Sequence, residues 1–141
     1  MKITAVEAIP VRIPRPQAFY SSLGIHQDTE NGVVVIHTDE GITGLGEASS
    51  VWDRKGKGEC DHVNQLIAAH LVGRDPFRIN ELSSLMDGLL HRAWPAKAGI
   101  EMALYDIVGK ALNTPVYNLL GGRVREQVSL SHSLSMGPVG Q

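Results

Sequence analysis

Cysteine is nearly absent from this chain. Cys60 is the single one in 141 residues, so neither a disulfide framework nor a cysteine-based metal site is available. That usage fits a reducing cytoplasm, which is the expected location. Charge excess is missing too. The formal net charge is −2 and no basic run exceeds Arg54–Lys57, which leaves no electrostatic footprint for nucleic acid or an anionic membrane. No apolar run approaches the ~20 residues that cross a bilayer. The polar, proline-broken start after Met1-Lys2-Ile3-Thr4 does not read as a signal peptide. Gly-x-Ser-x-Gly is absent, and no Ser/His/Asp or Cys/His arrangement supports nucleophilic catalysis. What remains is a chain of one-domain size, 43% apolar and 20% charged, long enough to bury roughly two thirds of its unfolded surface.

The hydrophobic period divides the chain. The first half reads as β. Lys2–Pro14 is rich in Ile, Val and Ala and is broken by Pro10, Pro14 and Pro16, which suits an edge strand because proline cannot donate to a ladder. Val33-Val34-Val35-Ile36 is a β-branched run, and Thr38-Asp39-Glu40-Gly41 supplies turn chemistry, so Asn31–Ser49 is expected to be a hairpin. Gly44, Gly46 and Ala48 share one strand face, nearly bare, that invites close approach by another element. Arg15–Glu30 is read as a long loop between the first two strands, and Ser50–Gly58 as a second loop before the first helix.

The second half reads as α. Cys60, Val63, Leu66, Ile67 and Leu71 fall on one face of a helix spanning Glu59–Leu71. Asp75-Pro76 is a start signal for a helix carrying Ile79, Leu82, Leu85, Met86 and Leu89. Ala96–Leu112 buries Ile100, Ala103, Leu104, Ile107, Val108 and Ala111, with Asp106 and Lys110 as an i,i+4 surface or interdomain pair. Asn113 takes a left-handed stop, Thr114-Pro115 starts a short helix and Gly121-Gly122 ends it. The expected fold is α+β: a three-stranded antiparallel meander followed by a helical bundle.

Candidate chemistry is sparse. The glycines of Gly41–Glu47 lack the helix N-terminus that a phosphate loop needs. His26, Asp28 and Glu30 share a face if extended, but read as a polar loop, and His62 and His70 are spaced beyond the i,i+4 interval that chelates from one helix. Cys60 in a helix stripe behaves as a small hydrophobe. Phe19, Tyr20 and Trp52 either cover the sheet or line a pocket.

Two patterns carry a resemblance. Ala98, Glu101, Ala103, Asp106, Gly109, Lys110, Pro115, Leu119, Leu120 and Gly121, together with G-x-x-G-x-G-E over Gly41–Glu47, resemble the N-terminal-domain motifs of the mandelate racemase/muconate lactonizing enzymes, a branch of the enolase superfamily. The resemblance implies an enolase-like capping domain over residues 1–125, with residues 126–141 as the start of a (β/α)8 barrel that is otherwise absent or truncated. Val128–Met136 alternates like the first barrel strand. The family's reaction, removal of the proton α to a carboxylate, uses Mg2+ held by three acids, with Lys or His bases, all on later barrel strands. Lys55-Gly56-Lys57 has the K-x-K form of a barrel base motif but precedes the helices, and is read as a solvated basic loop.

The expectation is therefore a capping domain with no catalytic residue and no metal ligand of its own, binding no Mg2+ specifically and inactive alone. Its implied partners are the barrel, further copies in a homo-oligomer, and a small carboxylate substrate contacted by Tyr20 and His26 in the first loop and Trp52 in the second. A non-catalytic α+β binding or assembly module of the same ancestry is the competing reading; a reading frame continuing into a barrel favours the first, and a natural stop after Gln141 the second.

Overall fold

The computed structural model describes residues 1–22, 24–49 and 56–131. Three antiparallel strands in the order β1-β2-β3 form one sheet: β1 (Ile3–Ser21), β2 (Gly24–Thr38) and β3 (Thr43–Ser49). Five helical segments follow: α1 (Gly56–Asp61), α2 (Ala68–Leu71), α3 (Ile79–Leu89), α4 (Trp94–Ala111) and α5 (Val116–Leu119). A π-helical stretch, His62–Ile67, fuses α1 to α2.

The helices cover one face of the sheet. Ala8, Val34 and Gly46 lie side by side across the three strands, as do Val6, Ile36 and Gly44. These even-numbered positions point inward, where Ala8, Val34, Ile36 and Ala48 join Ile100, Ala103, Leu104 and Ile107 of α4 in the core. The bare face of β3 finds its partner here: a Cβ built on Gly44 would overlap the Ala103 carbonyl, and one on Gly46 the Gly99 carbonyl. Only glycine lets the two backbones approach so closely.

Both sheet edges are occupied by helix side chains. On β1, the Asn64 amide donates to the Ala8 carbonyl and accepts from the Ala8 N–H, each at 2.8 Å, as a neighbouring strand would. Pro10 and Pro14 share Ala8's parity in an unbroken register, so their missing N–H groups fall on the outward side, where no ladder bond is lost. On β3, Asp106 accepts from the Leu45 N–H at 2.9 Å while Lys110 donates to the Thr43 carbonyl and to Asp106, both at 2.7 Å. The Asp106–Lys110 pair is thus more than a surface pair: it closes the sheet edge, where an open one would template pairing with another chain.

Other expectations need correction. Arg15–Glu30 is no loop. The first two strands continue through it as a two-stranded arm to a turn between Ser21 and Gly24. Leu66 is 46% exposed: Cys60, Val63, Ile67 and Leu71 are buried at 3- and 4-residue spacing, and Leu66, one residue and so about 100° before Ile67, falls outside that stripe. The helix expected from Asp75 starts at Ile79: the Asp75 carboxylate accepts from the Phe77 N–H at 3.0 Å, closing a separate turn. α4 begins at Trp94, two residues before the expected start, with Pro95 in its first turn and left-handed Arg92 and Ala93 ahead of it. Asn113, Gly121 and Gly122 are left-handed, as the stop signals required. Residues 128–131 form no strand, and the remainder of Val128–Met136 lies outside the described residues.

Candidate functional site

The arm leaves the body where β3 ends. Asn31 pairs with Ser49, the last β2–β3 partner, and beyond it β1 and β2 pair, among the described residues, only with each other. Asn31 is buried and serves as a junction: its Nδ2 donates to Glu47 Oε1, its Oδ1 accepts from Ser49 Oγ at 3.4 Å, and its backbone packs against Gly56. Ser49 and Gly56 flank the second loop, so both feet of that loop stand beside the root of the arm. Trp52 lies outside the described residues. The sequence offered little warning of this role, since Asn31 reads only as the first residue of the Asn31–Ser49 hairpin and its partners Ser49 and Gly56 lie 18 and 25 positions on.

Along the arm, His26, Asp28 and Glu30 do share one face, the helix-side face of β2. They are engaged separately. Asp28 pairs with Arg12, and His26 Nε2 lies 3.2 Å from Ser21 Oγ. Opposite them β1 is irregular: Pro14 faces Asp28 and Phe19 faces His26, so four residues of β1 span one of β2. This bulge reverses the parity of the strand and re-aims its side chains. Phe19 and Ser21 therefore join His26, while Tyr20, paired with Ile25, takes the opposite face. The rings of Phe19 and His26 are tilted with centroids 6.4 Å apart, and Arg15, from within the bulge, sits 5.8 Å from the Phe19 ring while donating to Thr29 Oγ1 at 2.9 Å. Tyr20 and His26, both candidate contacts, are thus on opposite faces.

A cleft of about 300 Å³ lies at the base of the arm, lined by Pro10, Val11, Arg12, Glu30 and Lys57. Its cations are held: Arg12 by Asp28, which keeps the guanidinium pKa above its ordinary value, and Lys57 by Asp61 at 2.8 Å, with the same direction and cause. Lys57 belongs to α1 rather than to a loop. Below it, Glu59 is wholly buried with Oε2 3.3 Å from His62 Nδ1, and Cys60, buried under Gly32, has its thiol pKa pushed up by burial and by the neighbouring Asp61 and Glu59 carboxylates.

Among the described residues no three His, Cys, Asp or Glu side chains converge on a point that could hold a metal ion. On the acidic face of the arm the Asp28 carboxylate is paired with the Arg12 guanidinium. Among the same residues no helix is long and apolar enough to cross a membrane.

A glycine-welded sheet and helix layer, a projecting arm and a second loop rooted beside it define an α+β capping domain. The comparisons agree. Residues 3–121 match the family model "Mandelate racemase / muconate lactonizing enzyme, N-terminal domain", and the chain belongs to that family. It is 35% identical over 139 residues to the N-succinyl-L-Arg/Lys racemase of Bacillus cereus, covering 96% of this chain and 38% of that protein. The crystal structure of that racemase superposes with a TM-score of 0.92 over 97% of this chain and 38% of that one, at 34% identity. The chain is 37% identical over 141 residues to cis-3-hydroxy-L-proline dehydratase of Roseibium aggregatum, covering 96% of this chain and 38% of that protein. A dipeptide epimerase of Enterococcus faecalis, crystallised with Mg and the dipeptide L-Leu-L-Tyr, aligns at 30% identity and a TM-score of 0.80 over 86% of this chain and 35% of that one. The chain thus spans about 38% of the length of the relatives it matches most extensively.

Proposed function

We propose that this domain caps the mouth of a (β/α)8 barrel and selects a small carboxylate substrate, from which the barrel removes the α-proton with its own base and Mg2+. The observation that supports this most directly is the meeting at Asn31 of the root of the arm with Ser49 and Gly56, the described residues on either side of the second loop, on one packed body. His26 and Trp52 contact substrate in this reading. Tyr20 contacts it from the other face of the arm, and the register adds Phe19 to the face of His26. Each ring brings apolar area that excludes water, while His26 and Trp52 also bring a hydrogen-bonding nitrogen. Residues from 126 onward open the next domain, and the enzyme works as a cytoplasmic homo-oligomer.

A chimera tests the reading. These residues replace the corresponding N-terminal segment of the Bacillus cereus racemase, whose barrel is retained. The chimera should fold and exchange the α-proton, with its substrate ranking moved away from that of the parent. Trp52→Ala in the chimera should raise KM across a panel of acid substrates and reorder them while proton exchange persists. Phe19→Ala against Tyr20→Ala then decides which face of the arm meets substrate. An unchanged ranking in both the chimera and Trp52→Ala would overturn the assignment.

A further inference from the structure

A second cleft lies between α3 and α4 and is lined, among the described residues, by side chains of those two helices. Its volume is about 320 Å³, at the lower end of the range of small-molecule sites. Met86 of α3 and Ala98 of α4 line it, and two polar bridges span it. Ser83 Oγ donates to Glu101 Oε1 at 3.0 Å, and Lys97 Nζ donates to Asp87 Oδ1 at 2.7 Å. The Lys97 side chain is only 9% exposed, with Nζ 5.3 Å from the centroid of the Trp94 ring. Trp94 itself is 67% exposed, and the left-handed pair Arg92–Ala93 turns the chain so that this ring lies beside the cleft.

Among the described residues the charges do not balance. Asp87 neutralises Lys97, which leaves Glu101 with the neutral hydroxyl of Ser83 as its partner among the described residues. An anion would meet that surplus carboxylate. A cation would meet it together with an aromatic face and an apolar floor, the combination that recognises organic ammonium groups. We propose that the α3–α4 cleft binds a small organic ammonium ion, its nitrogen held by Glu101 with Asp87 alongside and its methylenes laid on Met86 and Trp94. Lys97 already contacts Trp94 and Asp87, so an incoming ammonium competes with it for the same two groups. That competition gives the proposal an uncommon sign: removing the internal cation tightens binding.

Trp94 reports on the cleft. In the 141-residue chain carrying Trp52→Phe it is the remaining tryptophan, and the indole N–H resonance of the wild-type chain gives a second readout. Titration with n-butylammonium chloride, against sodium chloride at equal ionic strength, should give a saturable millimolar response. Glu101→Gln should weaken it about tenfold, the loss of one charge-assisted hydrogen bond. Ala98→Leu should abolish saturation by filling the cleft, and Lys97→Met should tighten the midpoint several-fold, with circular dichroism certifying the fold of each variant. A response matched by sodium chloride, or unchanged in natively folded Glu101→Gln and Ala98→Leu, overturns the proposal. So does weaker binding in natively folded Lys97→Met. A Trp94 signal that follows protein concentration and ignores the amine assigns the cleft to a neighbouring copy's side chain, and the small-amine site falls.

Discussion

The two ends of the sheet are held by different physical means. Where β3 meets α4, backbone lies on backbone: Gly44, Gly46 and Gly99 have no room for a methyl group, and the side chains beside them, Val34, Ala103 and Ile107, are wholly buried. In the arm beyond Asn31, two strands hold each other through exposed or half-buried side-chain pairs such as Arg12–Asp28 and Phe19–His26. Isolated two-stranded hairpins are marginal in water, and exposed ion pairs add little to stability. Stability is therefore concentrated in the β3–α4 junction, while the arm can change its side chains at small cost to the fold.

The comparison can be broken most severely at Gly46. Gly46→Ala puts a methyl group into the Gly99 carbonyl, where neither backbone can yield without moving α4. The expected loss is about 3 kcal/mol, the upper end of the overpacking range, read as a fall in Tm of roughly 10 °C. A variant that melts with the parent would show that the two elements are not welded. Gly32→Ala is the milder form at the root of the arm. The new Cβ would sit 2.6 Å from Cys60 Sγ, a single side-chain atom rather than a backbone. A loss of about 2 kcal/mol is expected, and Cys60→Ala in the same chain should restore most of it. Failure of that rescue places the strain elsewhere.

Asp106→Ala comes next. It strips the Leu45 N–H of its acceptor and frees Lys110, at an expected cost of about 1 kcal/mol. Hydrogen exchange at Leu45 should quicken, and sedimentation should show association through the opened edge; a monomer with unchanged exchange at Leu45 would remove the edge-closing role. Smallest of all is Arg12→Ala in the arm. Its guanidinium is exposed and its partner Asp28 is solvated when released, so the Tm should stay within experimental scatter while proteolysis near Ser21–Gly24 quickens. A large drop in Tm would mean that the arm belongs to the cooperative core.

Much of this was legible from residue order alone. The β-branched run at Val33–Ile36, the turn at Asp39–Gly41, the stripe from Ile100 to Val108 and the left-handed stop at Asn113 are local signals, and the structure carries each. The family pattern was legible for a related reason: Asp106 and Lys110 are spaced to reach β3 from one helix face, and Gly44 and Gly46 to admit that helix. The arm was not legible, because Pro16 and the polar residues of Arg15–Glu30 look like a loop, and only the register shows both strands continuing through that segment around a bulge between Pro14 and Phe19.

Sequence by itself determined the order of elements, the glycine face and the family, because spacing within one strand or helix sets which side chains share a face. Tertiary structure decided what meets what. The bulge between Pro14 and Phe19 chose Phe19 over Tyr20 as the partner of His26, the packing of His62–Ile67 on β1 brought Asn64 to Ala8, and α3 brought Asp87 to the ammonium of Lys97. Each is a contact between different elements, set by how strands pair and helices pack, and leaves no local signature in residue order.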